Sequence, residues 1–227
     1  MINLTAAALV FLAIHLVPSS PLRGWAVERL GQRVYMGVFA LASLAGIVWL
    51  VKAFGAAPAL SPLCVTGGLA RALTALLMLF AFLLLVAGLT SPNPSLPGGG
   101  GALKGEEPWR GVCAVTRHPV MWGIGLWALL HLLNNPDPAA IVFFGALALL
   151  SIGGARLQEI RKRKEMGEAW RAFEAKTSFV PLVALARGRA RLRLADVAPW
   201  RLALGATLWA VMLALHGTLF GVAPLSL

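Results

Sequence analysis

Three of the four histidines, His15, His131 and His216, stand inside long apolar runs, where an ionisable side chain is expensive and faces a partner or a cavity. Each alone could be a neutral imidazole bonded to a neighbouring helix. Three together favour a cofactor, and imidazoles with no other strong ligand nearby suit the axial positions of a b-type haem in a helical bundle. Met36, Met78, Met121 and Met212 offer weaker axial thioethers, a role less common for Met than filling a core.

The fourth histidine, His118, sits in Thr116-Arg117-His118-Pro119. Proline suits the first helical position, so the free amides and positive dipole end of a helix lie beside Arg117 and His118 and favour an anion. A haem propionate, a lipid phosphate or a cofactor carboxylate would fit, as would a plain headgroup contact of Arg117. Tyr35, the only tyrosine, stands at the start of another apolar run, where it can give a hydrogen bond or pack.

The elements that must position these groups are membrane spans. Apolar stretches run roughly over 1–17, 35–56, 69–90, 119–134, 138–154 and 199–222, against the ~20 residues that cross a bilayer. Runs such as 72–89 lack the period-two alternation of a barrel strand. The chain therefore predicts an all-α polytopic membrane bundle of about six transmembrane helices, one domain over 1–227. Basic residues set its orientation. Arg23, Arg29 and Arg33 fill the first gap between stretches, Lys104, Arg110 and Arg117 the third, and eleven more, from Arg156 to Arg193, the fifth. The second gap is bordered only by Lys52 and Arg71, and the Asn134-Asn135-Pro136-Asp137 turn has none. The positive-inside rule puts the odd-numbered gaps in the cytoplasm and both termini outside.

A net charge of +11 and a pI of about 11.3 would otherwise suggest nucleic acid, but 59% hydrophobic residues and a mean hydropathy of +0.78 exclude it and make the lipid bilayer the partner. Residues 1–12 hold no Lys or Arg, so the first stretch predicts a retained helix and not a secretory signal. Trp25, Trp49, Trp109 and Trp200 lie near span ends, where an amphipathic ring suits the headgroup layer. Cys64 and Cys113 fall in gaps on opposite sides, which forbids a disulfide, and no zinc-ligand spacing is present. Ser91-Pro92-Asn93-Pro94 and Gly98 to Gly101 read as a helix break and linker, not a phosphate loop, because no helix with Lys-Ser or Lys-Thr follows. From Gln158 to Thr177, Ile160, Met166, Trp170 and Phe173 recur at spacings near three and four with basic residues between them. That pattern predicts a cytoplasmic amphipathic helix, lying on the inner surface against anionic lipid or packed over the end of the bundle.

Thr116-Arg117-His118-Pro119 followed by Trp127, His131 and Asn134 resembles the NnrU family of bacterial membrane proteins. The likeness extends through His15 to Arg23, Gly31 with Tyr35, and Gly167-Glu168 through Phe173 to Pro181. It implies a multi-pass protein of the bacterial inner membrane, linked by the family's name to nitrogen-oxide respiration. The related plant zeta-carotene isomerases are haem b membrane enzymes that isomerise a cis double bond. Their two haem-ligating histidines map onto His15 and His131, which the resemblance makes the iron ligands here. Their cysteine three residues before the second histidine, implicated in a ligand switch, is Ala128 in this chain. A weaker likeness runs to isoprenylcysteine and phospholipid methyltransferases, through Arg117, His118, Pro119 and Gly123 and the tail residues Glu159, Glu168, Trp170 and Phe173, with Met121 departing from the usual aromatic.

Helical geometry puts the first pair at different depths. Counting from Pro119, a rise of ~1.5 Å per residue sets His131 about 18 Å along its helix, while His15 lies about 4 Å from the inner end of the first. The difference of roughly 14 Å is more than one iron with ~2 Å ligand bonds spans. Depth alone pairs His15 with His118 and His131 with His216. His118 and His131 cannot share one iron from one helix, being about 220° apart in azimuth.

Three functions follow: a haem b membrane protein of redox or nitrogen-oxide metabolism, or an isomerase of a hydrophobic polyene or lipid; a lipid or isoprenoid methyltransferase using S-adenosylmethionine; or a haem-free accessory factor for a respiratory reductase. All three share one topology. Because seventeen of the twenty basic residues occupy the odd gaps, a reporter fused at Leu227 is expected to be periplasmic and one inserted within Gly98 to Gly101 cytoplasmic. The reverse pattern of reporter activity would overturn the orientation.

Overall fold

A computed structural model describes residues 1–58, 61, 63 and 67–225. Cys64 and Leu227 lie outside them, so the reading that Cys64 and Cys113 are held apart concerns a residue not described. The described residues form helices α1 (Ile2–Leu16), α2 (Leu22–Leu30), α3 (Gln32–Gly55), α4 (Gly68–Thr90), α5 (Val112–Val115), α6 (Pro119–Asn134), α7 (Pro138–Lys176), α8 (Val183–Ala186), α9 (Leu194–Val197) and α10 (Pro199–Phe220). There is no strand among them. Helices α1, α3, α4, α7 and α10 are long and apolar enough to cross a membrane, α1 together with its 3-10 extension, and α6 is a shorter apolar helix of 16 residues. The protein is a multi-pass membrane bundle.

Local chemistry sets the boundaries. Pro119, Pro138 and Pro199 each take the first helical position, where a missing N–H leaves nothing unsatisfied. The Asp137 carboxylate accepts from the amides of Ala139 at 2.8 Å and Ala140 at 3.0 Å, so the turn after α6 doubles as the cap of α7. Helix α7 runs on past the apolar stretch into the basic segment and bends only at Gly167, whose φ of 53° and ψ of −123° are open to glycine. The amphipathic segment is therefore helical, as its spacing predicts, but continuous with the fifth span. Of the two placements expected for it, the leg after Gly167 packs over the end of the bundle: Trp170 and Phe173 are buried with Leu84, Ala87, Val112 and Val197.

Short α6 lies at the centre, between α4 and α7; α10 packs on α4, and α1 on α3 and α7. Small residues let α4 and α6 approach, as at membrane helix contacts generally. A Cβ on Gly123 would stand 2.9 Å from the Ala81 carbonyl oxygen and 3.0 Å from the Leu85 amide nitrogen, and one on Gly88 2.9 Å from Val120. By contrast, α3 and α4 share no broad face among the described residues although they are consecutive. A cleft opens between the α1–α3 pair and the α4–α6–α7 body. Gly123→Ala should force backbone apart and cost about 1–3 kcal/mol. A lowered thermal midpoint of the detergent-solubilised variant checks this, and an unchanged midpoint would mean that the seam tolerates separation.

Candidate functional site

The cleft encloses about 1110 Å³ and is lined by α1, α3, α4, α6, α7 and the Pro97–Gly100 segment. Its walls are largely apolar and aromatic, with Phe11, Phe39, Phe82, Trp127 and Phe143 among them. His15 is the histidine on that wall. Its Nδ1 lies 2.8 Å from the Phe11 carbonyl oxygen, which can only accept, so Nδ1 donates and, in a neutral ring, the lone pair falls on Nε2. This is the orientation a metal-ligating imidazole takes. Phe11 at 4.4 Å and Phe39 at 5.6 Å between ring centroids hold the ring, and Tyr35 stacks on Phe39. Met36 and Met121 also line the cleft. Three buried polar atoms of its lining residues, Tyr35 Oη, Gln158 Oε1 and Arg161 Nε, have no hydrogen-bond partner. Charge gathers at one mouth, where Arg23, Arg161, Lys162 and Glu165 stand together.

Outside the cleft lies a second cluster. Glu159, 3% exposed, accepts from Arg117 Nε and sits 3.3 Å from His118 Nε2 through one oxygen, and 3.3 Å from Arg156 Nη1 through the other. Arg117 also reaches Thr177 Oγ1 at 3.4 Å, and its amide donates to the Ser178 carbonyl at 3.0 Å. Thr116 Oγ1 donates to the Phe179 carbonyl at 2.7 Å. His118 is wholly buried, and burial pulls it below the ordinary histidine range despite Glu159, so the ring is neutral and donates from Nε2. The anion expected beside Arg117 and His118 is thus the chain's own Glu159 carboxylate. Glu168, grouped with Glu159 by the methyltransferase likeness, is apart from this cluster: its side chain is 86% exposed and pairs with Arg171. Cys113 is buried nearby in α5, and burial pushes its thiol up to about 12, which leaves it unreactive.

The two remaining histidines meet at the opposite end of the bundle. His131 on α6 and His216 on α10 have ring centroids 6.3 Å apart, and their Nδ1 atoms lie 2.8 Å and 2.7 Å from the carbonyl oxygens of Trp127 and Val222. Phe144 stacks on His131 at 4.6 Å. Neither histidine is on the cleft wall. Of the site residues read from the sequence, then, the structure joins Arg117 with His118 through Glu159 and His131 with His216, and leaves His15 as the cleft's histidine. Sequence reasoning missed the cleft's polar groups Gln158, Arg161 and Lys162. Their spacing of three and four residues on one face of α7 was the available signal.

A helical bundle with a large, mainly apolar, aromatic-walled cleft and His15 in its lining defines a polytopic membrane protein with an internal cavity. The family described as NnrU protein matches residues 3–224, and the chain belongs to that family. It is also similar to a 15-cis-zeta-carotene isomerase, chloroplastic, from Zea mays, 32% identical over 82 residues, which are 36% of this chain and 22% of that protein. The match thus spans about a fifth of the length of that curated relative. No solved structure matches the chain.

The Glu159 cluster yields a direct test. Glu159→Gln leaves Arg117 buried without its counter-charge, and breaking a buried pair from one side costs about 3–5 kcal/mol. Denaturation of the solubilised variant should show that loss; stability within about 0.5 kcal/mol of the parent protein, the range of an ordinary surface change, would remove Glu159 from its structural place.

Proposed function

We propose that the cleft holds haem b on His15 and that the protein acts in the inner membrane in redox or nitrogen-oxide metabolism, or as an isomerase of an unsaturated hydrophobic substrate. The observation that carries this reading is the His15 imidazole, held at Nδ1 by the Phe11 carbonyl, in the lining of a cavity of about 1110 Å³. The residues present fit the group. Met36 on α3 and Met121 on α6 would offer thioethers to the iron beside His15, the aromatic wall would suit a macrocycle, and the cationic mouth would suit its propionates. Bound there, haem would supply a one-electron couple whose potential the axial ligands set. The chain's own residues do the rest: Phe11 and Phe39 hold the imidazole plane.

Isomerisation is supported by the likeness to the zeta-carotene isomerase, and Ala128 means that a cysteine-dependent ligand switch at that position is not part of it. The bis-histidine arrangement implied by that likeness would need His131 to reach the cleft, whereas Met36 and Met121 already line it. The basic odd-numbered gaps support both termini lying on the periplasmic side. For the methyltransferase alternative, a polar methyl donor would have to displace Glu159 from Arg117 and His118, all three buried.

Protein purified in detergent after haem-supplemented expression should show a Soret band that His15→Ala removes while the protein still inserts. Loss in His131→Ala or His216→Ala with His15→Ala unaffected would move the haem to the outer pair. No Soret band at all would leave the accessory-factor reading, and micromolar binding of S-adenosylmethionine abolished by Arg117→Ala would put the methyltransferase first.

A further inference from the structure

Lys162 is 3% exposed, on the cleft wall, and no carboxylate pairs with it among the described residues. Its Nζ donates to the Pro94 carbonyl and lies 5.4 Å from the centre of the Trp170 ring. A buried ammonium with no carboxylate in contact is costly, and a carbonyl, a ring face and the more distant Glu165 offset only part of that. Beside it, Arg161 Nη1 donates to the Pro18 carbonyl at 3.2 Å, while its buried Nε, 3.7 Å from Glu165, makes no hydrogen bond. Glu165 is shared, since its other oxygen is 3.4 Å from Arg23. Three cations thus face one carboxylate at this mouth. Gln158, Arg161, Lys162 and Glu165 recur at the spacing of one helix face, and Gln158 Oε1 and Tyr35 Oη, both buried, have no partner. Further in, the wall turns apolar through Phe39, Leu85 and Trp127.

From these groups we infer that the cleft mouth is a recognition site for an acidic oxygen group carried on an apolar body, with Lys162 and Arg161 pairing the acid and the Tyr35 hydroxyl donating to one of its oxygens. The inference rests on the cleft being the ligand site of the proposed function, but not on haem being that ligand. A pure hydrocarbon offers nothing to this mouth. Haem, through its propionates, and a carboxylate-headed lipid both do, and the same charge-assisted bonds would hold either.

Binding of two matched pairs to the full chain in detergent separates the sources: haemin against its dimethyl ester, and oleic acid against methyl oleate. The expected result is a preference for the free acid of about tenfold or more in at least one pair, lost in Lys162→Met and in Arg161→Gln and kept in Lys162→Arg. Equal binding of acid and ester in both pairs, read on the unmodified chain, overturns the site, as does a preference that survives the Lys162→Met, Arg161→Gln double variant. Preference confined to oleic acid, with haemin bound no better than its ester and insensitive to His15→Ala, upholds the mouth while removing haem from the cleft.

Discussion

The Glu159 carboxylate is the interaction on which the arrangement of the bundle depends. It is buried, 42 residues from Arg117 in the chain, and it collects Arg117, His118 and Arg156 on its two oxygens. A charge in that position is tolerable only when its partners are fixed, so the pairing sets the register between the amino end of α6 and the middle of α7. The following segment is drawn in by the same groups, through Thr177 on Arg117 and the Ser178 and Phe179 carbonyls on Arg117 and Thr116. With α6 held at that end, Gly123 and Gly88 set how near α4 can come.

The cleft is a consequence of this uneven tightness. The α4–α6–α7 body is closed by small residues and a buried ion cluster, whereas α3 meets it mainly through α1 and a few contacts with α7. Ring contacts run from Phe11 to His15, from His15 to Phe39 and from Phe39 to Tyr35, so the imidazole is held between α1 and α3 on the cleft wall. Pre-formed space of this kind costs little ordering when a ligand enters.

Much of the fold could be read before any coordinates. Pro119 at a helix start, the Asn134-Asn135-Pro136-Asp137 turn and the apolar lengths marked the five long apolar helices and the shorter α6, because bilayer thickness and backbone chemistry act locally. Of the two pairs that depth alone suggests, the structure brings His131 to His216, while His15 lines the cleft and His118 is taken up by Glu159, so those two are not joined. What could not be read was partnership over distance. Arg117 signalled an anion without naming Glu159, and the periodic apolar residues after Gln158 fit lipid and protein equally well. Only Trp170 and Phe173 meeting Leu84 and Val112 decides between them.

The same limit explains why the basic residues of the fifth gap hid two functions in one count. Topology rules treat every Lys and Arg alike, since the retention of a loop in the cytoplasm depends on charge near the span and not on where a side chain finally lies. Within that gap, Lys162 is buried while Arg163 and Arg171 remain largely exposed. Exposed cations are stabilised by water wherever they point, so they carry orientation and little else. A buried cation has given up that hydration and must be answered by a fixed partner, which for Arg117 is Glu159 and for Lys162 is so far a carbonyl and a ring. The face formed by Gln158, Arg161, Lys162 and Glu165 is therefore the part of the basic segment whose charge calls for a ligand.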